Sequence, residues 1–413
     1  MHHEPVNHNP STQAPVNLGP VPISRSVVYL LAISAGAIVA NIYYAQPLLA
    51  DMARDFGIGV VEIGTVAMLA QAGSAVGMLL FVPLGDKHER RGLIALLLAG
   101  GALALAAMAV APSVIWLSAA SFILGTTTAG VHVVVPLAAH LAPSQQRGRI
   151  VGTVISGLLI GVLLARSFSG VFGDHFGWRA VYWVAAAVML MLAMIMRLAL
   201  PESRPESAPS WPELMASIVT LAREHAVVRQ AAVIAFLMFT SFAALWTTLV
   251  FLLRTPPYDF GTTAAGMFGL LGAASATAAP MVGRLTDRYG TDRAILIAIV
   301  TTLAGYFVLL TAGRTLIGLV TAIILVDAGV QSCHVANQSR IYAVAPHARG
   351  RLNTVYMTAF MSGGAVGAYL GPLGLQLGGW AGFCAFPIAA LALAAGYGWS
   401  VRPRALAAAD SFS

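Results

Sequence analysis

Charged residues are scarce in this sequence: they make up 9% of its 413 positions, and a single lysine, Lys87, occurs among the basic residues. An ordinary soluble domain has about 25% charged residues. Apolar residues make up 58%, and the mean hydropathy is +0.80. This composition leaves too little polar surface for a water-soluble protein of this size. It excludes soluble enzymes, nucleic-acid-binding domains and disordered proteins, and it indicates a protein that crosses a membrane several times.

Residues that would support metal, redox or nucleotide chemistry are also few. The two cysteines, Cys333 and Cys384, lie in apolar runs and form neither a zinc-binding spacing nor a disulfide framework. The nucleotide-binding pattern Gly-x-x-x-x-Gly-Lys-Ser/Thr does not occur. A membrane metalloenzyme that uses His132, His140 and His334 is disfavoured because these histidines are not clustered. We therefore predict no cofactor, no metal site and no enzymatic activity.

Long apolar runs are what the sequence does contain. A helix needs about 20 residues to cross the hydrocarbon layer, whereas barrel strands alternate in polarity over about 10 residues. The runs are of the first kind, which predicts an all-α integral membrane protein with twelve transmembrane helices. They lie near residues 26–49, 62–84, 92–111, 113–140, 149–172, 178–200, 229–253, 262–284, 293–312, 315–344, 351–376 and 380–401.

The basic residues between these runs predict the orientation. If the N-terminus is cytoplasmic, 18 of the 23 Lys and Arg residues fall on the cytoplasmic side and 4 on the other side. Both termini are then cytoplasmic. We predict a disordered cytoplasmic tail (1–24), two six-helix bundles (25–200 and 229–402), a cytoplasmic linker (201–228) in which an amphipathic helix can form, and a second cytoplasmic tail (403–413).

The two predicted bundles repeat one another. Arg147-Gly148-Arg149 before the fifth run matches Arg349-Gly350-Arg351 before the eleventh, at an offset of 202 residues. The same offset pairs His132 with His334, and it also pairs glycines and tryptophans. A colinear series of this kind predicts an internal duplication, and hence two pseudo-symmetric bundles.

Two loops carry a family resemblance. Gly283-Arg284-Leu285-Thr286-Asp287-Arg288-Tyr289-Gly290 and the more divergent Leu84-Gly85-Asp86-Lys87-His88-Glu89-Arg90-Arg91 resemble the loop signature of the major facilitator superfamily. The segments 41–47, 163–166 and 335–342 resemble bacterial drug/proton antiporter-like exporters of the arabinose-efflux-permease-like branch. This resemblance implies a monomeric alternating-access transporter in the bacterial inner membrane.

The resemblance also assigns candidate gating and packing residues. It implies that the two loops are cytoplasmic gates, although plain charge topology explains the same residues: Asp86, Lys87, Arg90, Arg91, Asp287 and Arg288. Small residues in the fifth run allow close helix packing or a sliding contact between the halves. These glycines are Gly152, Gly157, Gly161 and Gly170.

Polar residues inside the apolar runs are candidates for a transport pathway. Asp327 is the single acid well inside a run, and His334 lies seven residues further on the same helical face. A charged aspartate at the bilayer centre costs at least ~2.5 kcal/mol, so it needs water, a partner or a proton. We predict that Asp327 and His334 couple proton movement. The substrate cavity is predicted to include Asn41, Tyr44, Gln71, Thr128, His132, Arg166, Trp246, Gln331, Asn337, Gln338 and Tyr356. For Arg166, snorkelling toward the outer surface is the alternative.

Together these features predict a secondary active transporter that exports a small solute or drug-like molecule by proton antiport. The alternative within transporters is uptake of a sugar or small organic anion by proton symport. A non-transporting receptor is disfavoured because the longest polar segment between runs has 28 residues, 201–228. The predicted partners are the small-molecule substrate, protons and the lipid bilayer, with no nucleic acid.

The gating hypothesis leads to a prediction for Asp86→Asn. We expect a strong loss of transport with little loss of folded protein, because one charge in an exposed loop rarely holds a membrane fold together. Asp287→Asn should have a smaller effect. Transport in proteoliposomes, normalised to folded protein, measures both. Wild-type transport rates in both variants would mean that the charges of these loops only set the orientation of the helices in the membrane.

Overall fold

A computed structural model describes residues 23–85, 87–203, 211–272, 288, 290–345 and 348–400, without the side chains of 399 and 400. These residues form helices and turns, with no strand among them. Within them, 10 helical segments are long and apolar enough to cross a membrane. The helices are α1 (Arg25–Tyr43), α2 (Ala45–Phe56), α3 (Val60–Gly85), α4 (Arg90–Ala109), α5 (Val114–Thr127), α6 (Val131–Leu141), α7 (Arg147–Phe176), α8 (Trp178–Ala199), α9 (Trp211–Glu224), α10 (Ala226–Leu253), α11 (Thr262–Met267), α12 (Thr291–Ala312), α13 (Leu316–Val344) and α14 (Arg349–Ser400).

Side-chain caps define where several helices begin. The hydroxyls of Ser24, Ser113 and Thr315 each accept a hydrogen bond from a backbone N–H of the first turn, and the Glu89 carboxylate accepts two. These bonds satisfy donors that the helix itself leaves unpaired. Glu89 caps the start of α4, and Ser113 caps the start of α5. α4 therefore ends before Pro112, where the sequence analysis separates the third and fourth spans.

The last helical segment, α14, contains two spans. Its 52 residues are interrupted at Gly378 and Gly379, and Gly379 has a φ of 56°. A residue with a side chain rarely adopts this left-handed conformation, which explains the glycine at this corner. The chain therefore changes direction where the eleventh and twelfth spans were predicted to separate. α11 begins the eighth predicted span at Thr262, and the rest of that span, from 273 on, lies outside the described residues.

The first span differs from its prediction. It runs from Arg25 to Phe56, seven residues beyond the predicted end at 49, and it is divided into α1 and α2 at Tyr44. Pro47 explains the division, because proline has no N–H to bond the carbonyl of Tyr43 four residues earlier. α2 thus extends the first span and carries Gln46 at its start and Asp51 in its middle.

The predicted linker contains one described helix, α9. Leu214 and Ile218 lie four residues apart on it and are both buried, whereas most of its other residues are exposed. α9 contacts α3, α10 and α14, so it touches helices of both predicted bundles.

Two helix pairs form the largest contacts between the two predicted bundles. α3 packs against α14, where a methyl group at Gly64 would lie 3.0 Å from the Pro372 side chain. α7 packs against α11, where a methyl group at Gly170 would lie 2.7 Å from the Cα of Gly266. At both places the absence of a side chain allows close approach of the helices.

The other predicted packing glycines of α7 differ in their surroundings. Gly157 and Gly161 lie against α1 inside the first predicted bundle, and a methyl group at Gly161 would be 2.5 Å from the Cα of Gly36. A methyl group at Gly152 would meet no atom within 4 Å. The structure therefore assigns no packing contact to Gly152, because it lies nine residues, or two and a half turns, before Gly161 and so on the side of α7 that α1 does not cover.

This difference gives a matched pair of variants, Gly161→Ala and Gly152→Ala. We expect Gly161→Ala to destabilise the protein by about 1–3 kcal/mol, because the new methyl group forces two backbones apart. Gly152→Ala should be neutral or stabilise by about 0.5–1 kcal/mol, since alanine is the better helix former. Thermal unfolding of the detergent-purified variants measures both. Equal melting temperatures would contradict the close α1–α7 contact.

Candidate substrate and proton site

Arg166 is buried in the middle of the protein, on α7, with 2% of its surface exposed. Its Nε donates a 2.6 Å hydrogen bond to Oε1 of Gln46 on α2. The guanidinium carbon lies 3.9 Å from the ring centre of Trp246 and 4.7 Å from that of Tyr43. Aromatic faces attract cations, and within the described ranges no carboxylate forms an ion pair with this guanidinium. With the ring centre of Phe242 at 5.9 Å, three rings and one amide therefore surround the charge.

Asp327 is the second buried charge of the site. It lies on α13 with 4% of its surface exposed. Nε1 of Trp246 donates a 3.0 Å hydrogen bond to its Oδ1. Trp246 on α10 thus presents a ring face to Arg166 and its N–H to Asp327. Among the residues that the structure describes, a single side chain thus links the one buried acid to the one buried arginine.

The electrostatic surroundings of this trio are sparse. Arg166 and Asp327 lie close enough to influence one another, and Tyr43 and Tyr306 are the other titratable groups near Asp327. Opposite charges at this depth offset part of the cost of leaving water. Removing either charge leaves the other buried without compensation, and that state is expensive.

A second polar group surrounds His334. Its Nδ1 lies 3.0 Å from the hydroxyl of Tyr356 on α14, and its ring centre lies 4.8 Å from that of Phe360. His132 approaches closely enough to interact with it electrostatically. The repeat-related histidines of the two predicted bundles therefore lie near each other.

A cavity of about 40 Å³ lies beside His132. Tyr43, Thr128 and Met361 also line it, so helices from both predicted bundles contribute to its wall. Thr128 lies 3.1 Å from Ser74, hydroxyl to hydroxyl. This cavity has room for a few water molecules.

A row of aromatic rings connects the two polar groups. The ring centres are 6.2 Å apart from Trp246 to Phe242, 5.3 Å from Phe242 to Phe239, and 3.7 Å from Phe239 to Phe360. Phe360 then contacts His334. The path between Arg166 and His334 is therefore lined by flat apolar surfaces that sequence reasoning did not identify beyond Trp246.

The other predicted cavity residues are placed as follows. Asn41 and Gln71 are buried, and each has one amide atom without a hydrogen-bond partner. Tyr44 packs edge-on against Phe168. Gln331 is exposed, and it makes no hydrogen bond with Asp327 or His334 within the part of the chain that the structure describes.

Asn337 and Gln338 interact locally. Nδ2 of Asn337 lies 3.3 Å from Sγ of Cys333 on the same helix. Gln338 donates a 3.3 Å hydrogen bond to Oδ1 of Asn353, which also accepts one from Tyr342. The two contacts with Asn353 join α13 to α14 within one predicted bundle.

The predicted gating loops are described in part. Asp86 and Asp287 lie outside the described residues. Lys87 is exposed, and Nε of Arg90 donates to the carbonyl of Gly85 at 3.0 Å. Arg91 forms a 2.7 Å ion pair with Glu202, which follows α8. Arg288 is exposed. Arg90 thus binds within the first predicted bundle, and Arg91 binds the start of the predicted linker.

At the predicted outer end, a polar cluster joins the two bundles. Nη2 of Arg254 lies 2.6 Å from Oδ1 of Asp51 and 2.6 Å from the hydroxyl of Thr262, which in turn donates to Oδ2 of Asp51 at 2.5 Å. Thr263 also donates to Asp174 at 2.6 Å. Because Asp51 and Asp174 belong to the first bundle and the others to the second, this end is closed.

Sequence reasoning missed this outer cluster. Arg254 is one of the four basic residues on the predicted outer side. A basic residue is rare on that side, and this rarity is the signal that could have identified Arg254 as a candidate. The sequence gives no spacing that relates it to Asp51, 203 residues away.

Helices of this length, a buried charge pair and cavities between two halves define a polytopic membrane transporter. Residues 31–368 and 258–412 match the family described as Major Facilitator Superfamily. The chain is 37% identical over 370 residues to the uncharacterized transporter YgaY of Escherichia coli O157:H7, covering 88% of this chain and 92% of that protein. It is 35% identical over 389 residues to the probable transporter SCO4007 of Streptomyces coelicolor, covering 92% and 88%.

The chain belongs to the major facilitator superfamily. A solved structure of a nucleoside transporter NupG variant matches with a TM-score of 0.74 at 14% identity, covering 91% of this chain and 99% of that one. This likeness confirms the predicted twelve-helix fold. The protein is a multi-pass membrane transporter for small molecules and not an enzyme, as the sequence analysis predicted.

The outer cluster leads to a prediction for Asp51→Asn. We expect the two bundles to separate at this end, because Arg254 loses its partner at a cost of about 2 kcal/mol. Electron–electron distance measurements between spin labels at Glu62→Cys and Thr255→Cys, one in each bundle, report the separation. The native cysteines are buried.

Asp55→Asn is the matched control, since Asp55 pairs with Arg179 inside the same bundle. It should leave the distance distribution unchanged. If Asp51→Asn also leaves it unchanged, the cluster does not hold the outer end closed.

Proposed function

We propose that this transporter is a proton-coupled secondary active transporter and that Asp327 carries the proton. The observation that supports this is the placement of Asp327 at the indole N–H of Trp246, whose ring lies under Arg166. A buried carboxylate that lies beside a single base becomes neutral when it binds a proton. This directly changes its interaction with that base. His334, with Tyr356 as its hydrogen-bond partner, is the second candidate for proton binding.

The charge pair also links proton binding to the two halves. Arg166 belongs to the first predicted bundle, and Trp246 and Asp327 belong to the second. Ionised Asp327 attracts Arg166 and favours the contact between the bundles at this level. Protonated Asp327 removes that attraction, so the balance between alternating conformations changes with each proton.

Two transport modes fit this mechanism. Export by proton antiport is favoured by the resemblance of segments 41–47, 163–166 and 335–342 to exporters, and a substrate that replaces the proton at Asp327 would give it. Proton symport of a small organic anion is favoured by the buried cation Arg166. The sign of the substrate's charge decides between the two modes.

The position in the membrane follows from the charge bias. We propose a monomer in the bacterial inner membrane with both termini cytoplasmic, supported by the 18-to-4 distribution of Lys and Arg. The loops at Asp86 and Asp287 would then be cytoplasmic gates, opposite the closed outer cluster. His132 would contribute to substrate binding from the wall of the cavity.

The proposal predicts the behaviour of Asp327→Asn in proteoliposomes. A pH gradient should no longer drive net transport, because asparagine cannot bind and release a proton. Substrate exchange without a gradient should remain. Asp327→Glu should retain pH-driven transport at a reduced rate, since it keeps an ionisable carboxyl at this position.

Asp259→Asn, at an exposed loop acid, is the matched control and should behave as wild type. Unchanged pH-driven transport in Asp327→Asn would refute the assignment of the proton to Asp327. Absence of any pH-driven transport in the wild-type protein, across a broad substrate panel, would refute proton coupling itself.

A further inference from the structure

The guanidinium of Arg166 has an unused hydrogen-bond donor. We propose that Arg166 binds an anionic group of the substrate, so that this transporter carries small carboxylates. The Nη2 atom of Arg166 is buried and has no hydrogen-bond partner among the described residues. A buried charged donor without an acceptor is costly, and proteins retain such donors where a ligand supplies the acceptor.

The neighbours of Arg166 position this charge without neutralising it. Gln46 is a neutral amide and occupies Nε, and the rings of Trp246 and Tyr43 cover the guanidinium faces. Asp327 is near but accepts its hydrogen bond from Trp246 rather than from Arg166. The side of the guanidinium that carries Nη2 therefore remains for an incoming acceptor, and a carboxylate matches the planar geometry of that group.

The space next to Arg166 limits the size of the anion. A cavity of about 10 Å³, room for about one water molecule, is lined by Gln46, Trp246 and apolar side chains that include Leu249, Val250 and Ala265. Pockets for drug-sized ligands are far larger. Among these lining residues Arg166 carries the single charge, so the chemistry fits a small acid, which enters when the two bundles move apart at this level.

This inference deepens the proposed function, and its coupling part rests on proton binding by Asp327. A carboxylate at Arg166 and the ionised carboxylate of Asp327 repel one another and compete for the same cation. The proton and the anion therefore bind cooperatively, which selects symport over antiport. The other titratable groups that face Asp327, Tyr43 and Tyr306, are phenols and stay neutral near pH 7.

Equilibrium binding to the purified wild-type protein tests the charge preference. The probes are acetate, lactate and benzoate, each paired with its amide of the same shape (acetamide, lactamide and benzamide), together with the cation benzylamine. Titration calorimetry should show saturable binding of at least one acid, with its amide and the amine at least about 10-fold weaker. Binding of that acid should tighten as the pH falls from about 8 to about 6, where the ligand itself stays ionised.

Variants separate the two parts of the inference. Arg166→Gln should abolish the preference for the acid over its amide, and Arg166→Lys should keep part of it. Arg179→Gln, at a half-exposed arginine outside the site, is the matched control. Asp327→Asn should tighten binding of the acid by about 5-fold or more and remove its pH dependence, as expected for the loss of an interacting charge. A pH dependence that originates at His132 or His334 would persist in Asp327→Asn.

The outcomes distinguish this inference from the proposed function. Equal binding of acids and amides, tighter binding of benzylamine, or failure of all three acids to bind would overturn the assignment of an anion to Arg166, even if pH-driven transport requires Asp327. Weaker acid binding in Asp327→Asn would overturn the cooperative coupling. Acid-selective binding without any pH-driven transport would support the anion site and refute proton coupling.

Monodisperse elution and unchanged helical content of Arg166→Gln exclude misfolding, and the wild-type panel does not depend on any variant.

Discussion

The contact of Trp246 with both Arg166 and Asp327 is the interaction on which the centre of this protein depends. Neither charge has a direct ion-pair partner among the described residues, and both lie at a depth where an isolated charge is expensive. The indole ring offers electron density to the guanidinium, and its N–H supports the carboxylate. An ionised Asp327 makes the ring a better partner for Arg166, so three side chains from three helices stabilise one another.

The organisation of the spans was predictable because the bilayer restricts the length and the polarity of the segments that can cross it. Apolar length sets each span, basic loops indicate orientation, and Gly378-Gly379 marks the corner in α14 as it does in the sequence. The division of the first span at Tyr44 was less apparent, since Pro47 removes a hydrogen bond without reducing hydropathy. Gly152 and Gly161 look alike in the sequence, and only the position of α1 beside α7 distinguishes them.

The site was predictable in its members but not in their partners. Asp327 and Arg166 stand out as charges within apolar runs, and the repeat correctly directs attention to His132 and His334 together. The repeat does not extend to the charges: at the offset of 202 residues, Asp327 corresponds to Gly125 and Arg166 to Ala368. Each of these charges therefore occurs in only one copy of the repeat. The geometry of the pair depends on how the two bundles pack against each other. Contacts across that meeting, such as Asp51 with Arg254, have no periodicity that a single sequence could reveal.

The short helix α2 has a consequence for communication along the transport path. Gln46, which binds Arg166, and Asp51, which binds Arg254, lie five residues apart on this helix, or about 7.5 Å along its axis. Tyr44 keeps helical dihedrals, with φ −58° and ψ −36°, so α2 continues the first span, and its hydrogen bonds hold Gln46 and Asp51 at a fixed spacing. The residue that binds the buried cation and the residue that joins the bundles at the rim are therefore positioned by one and the same helix.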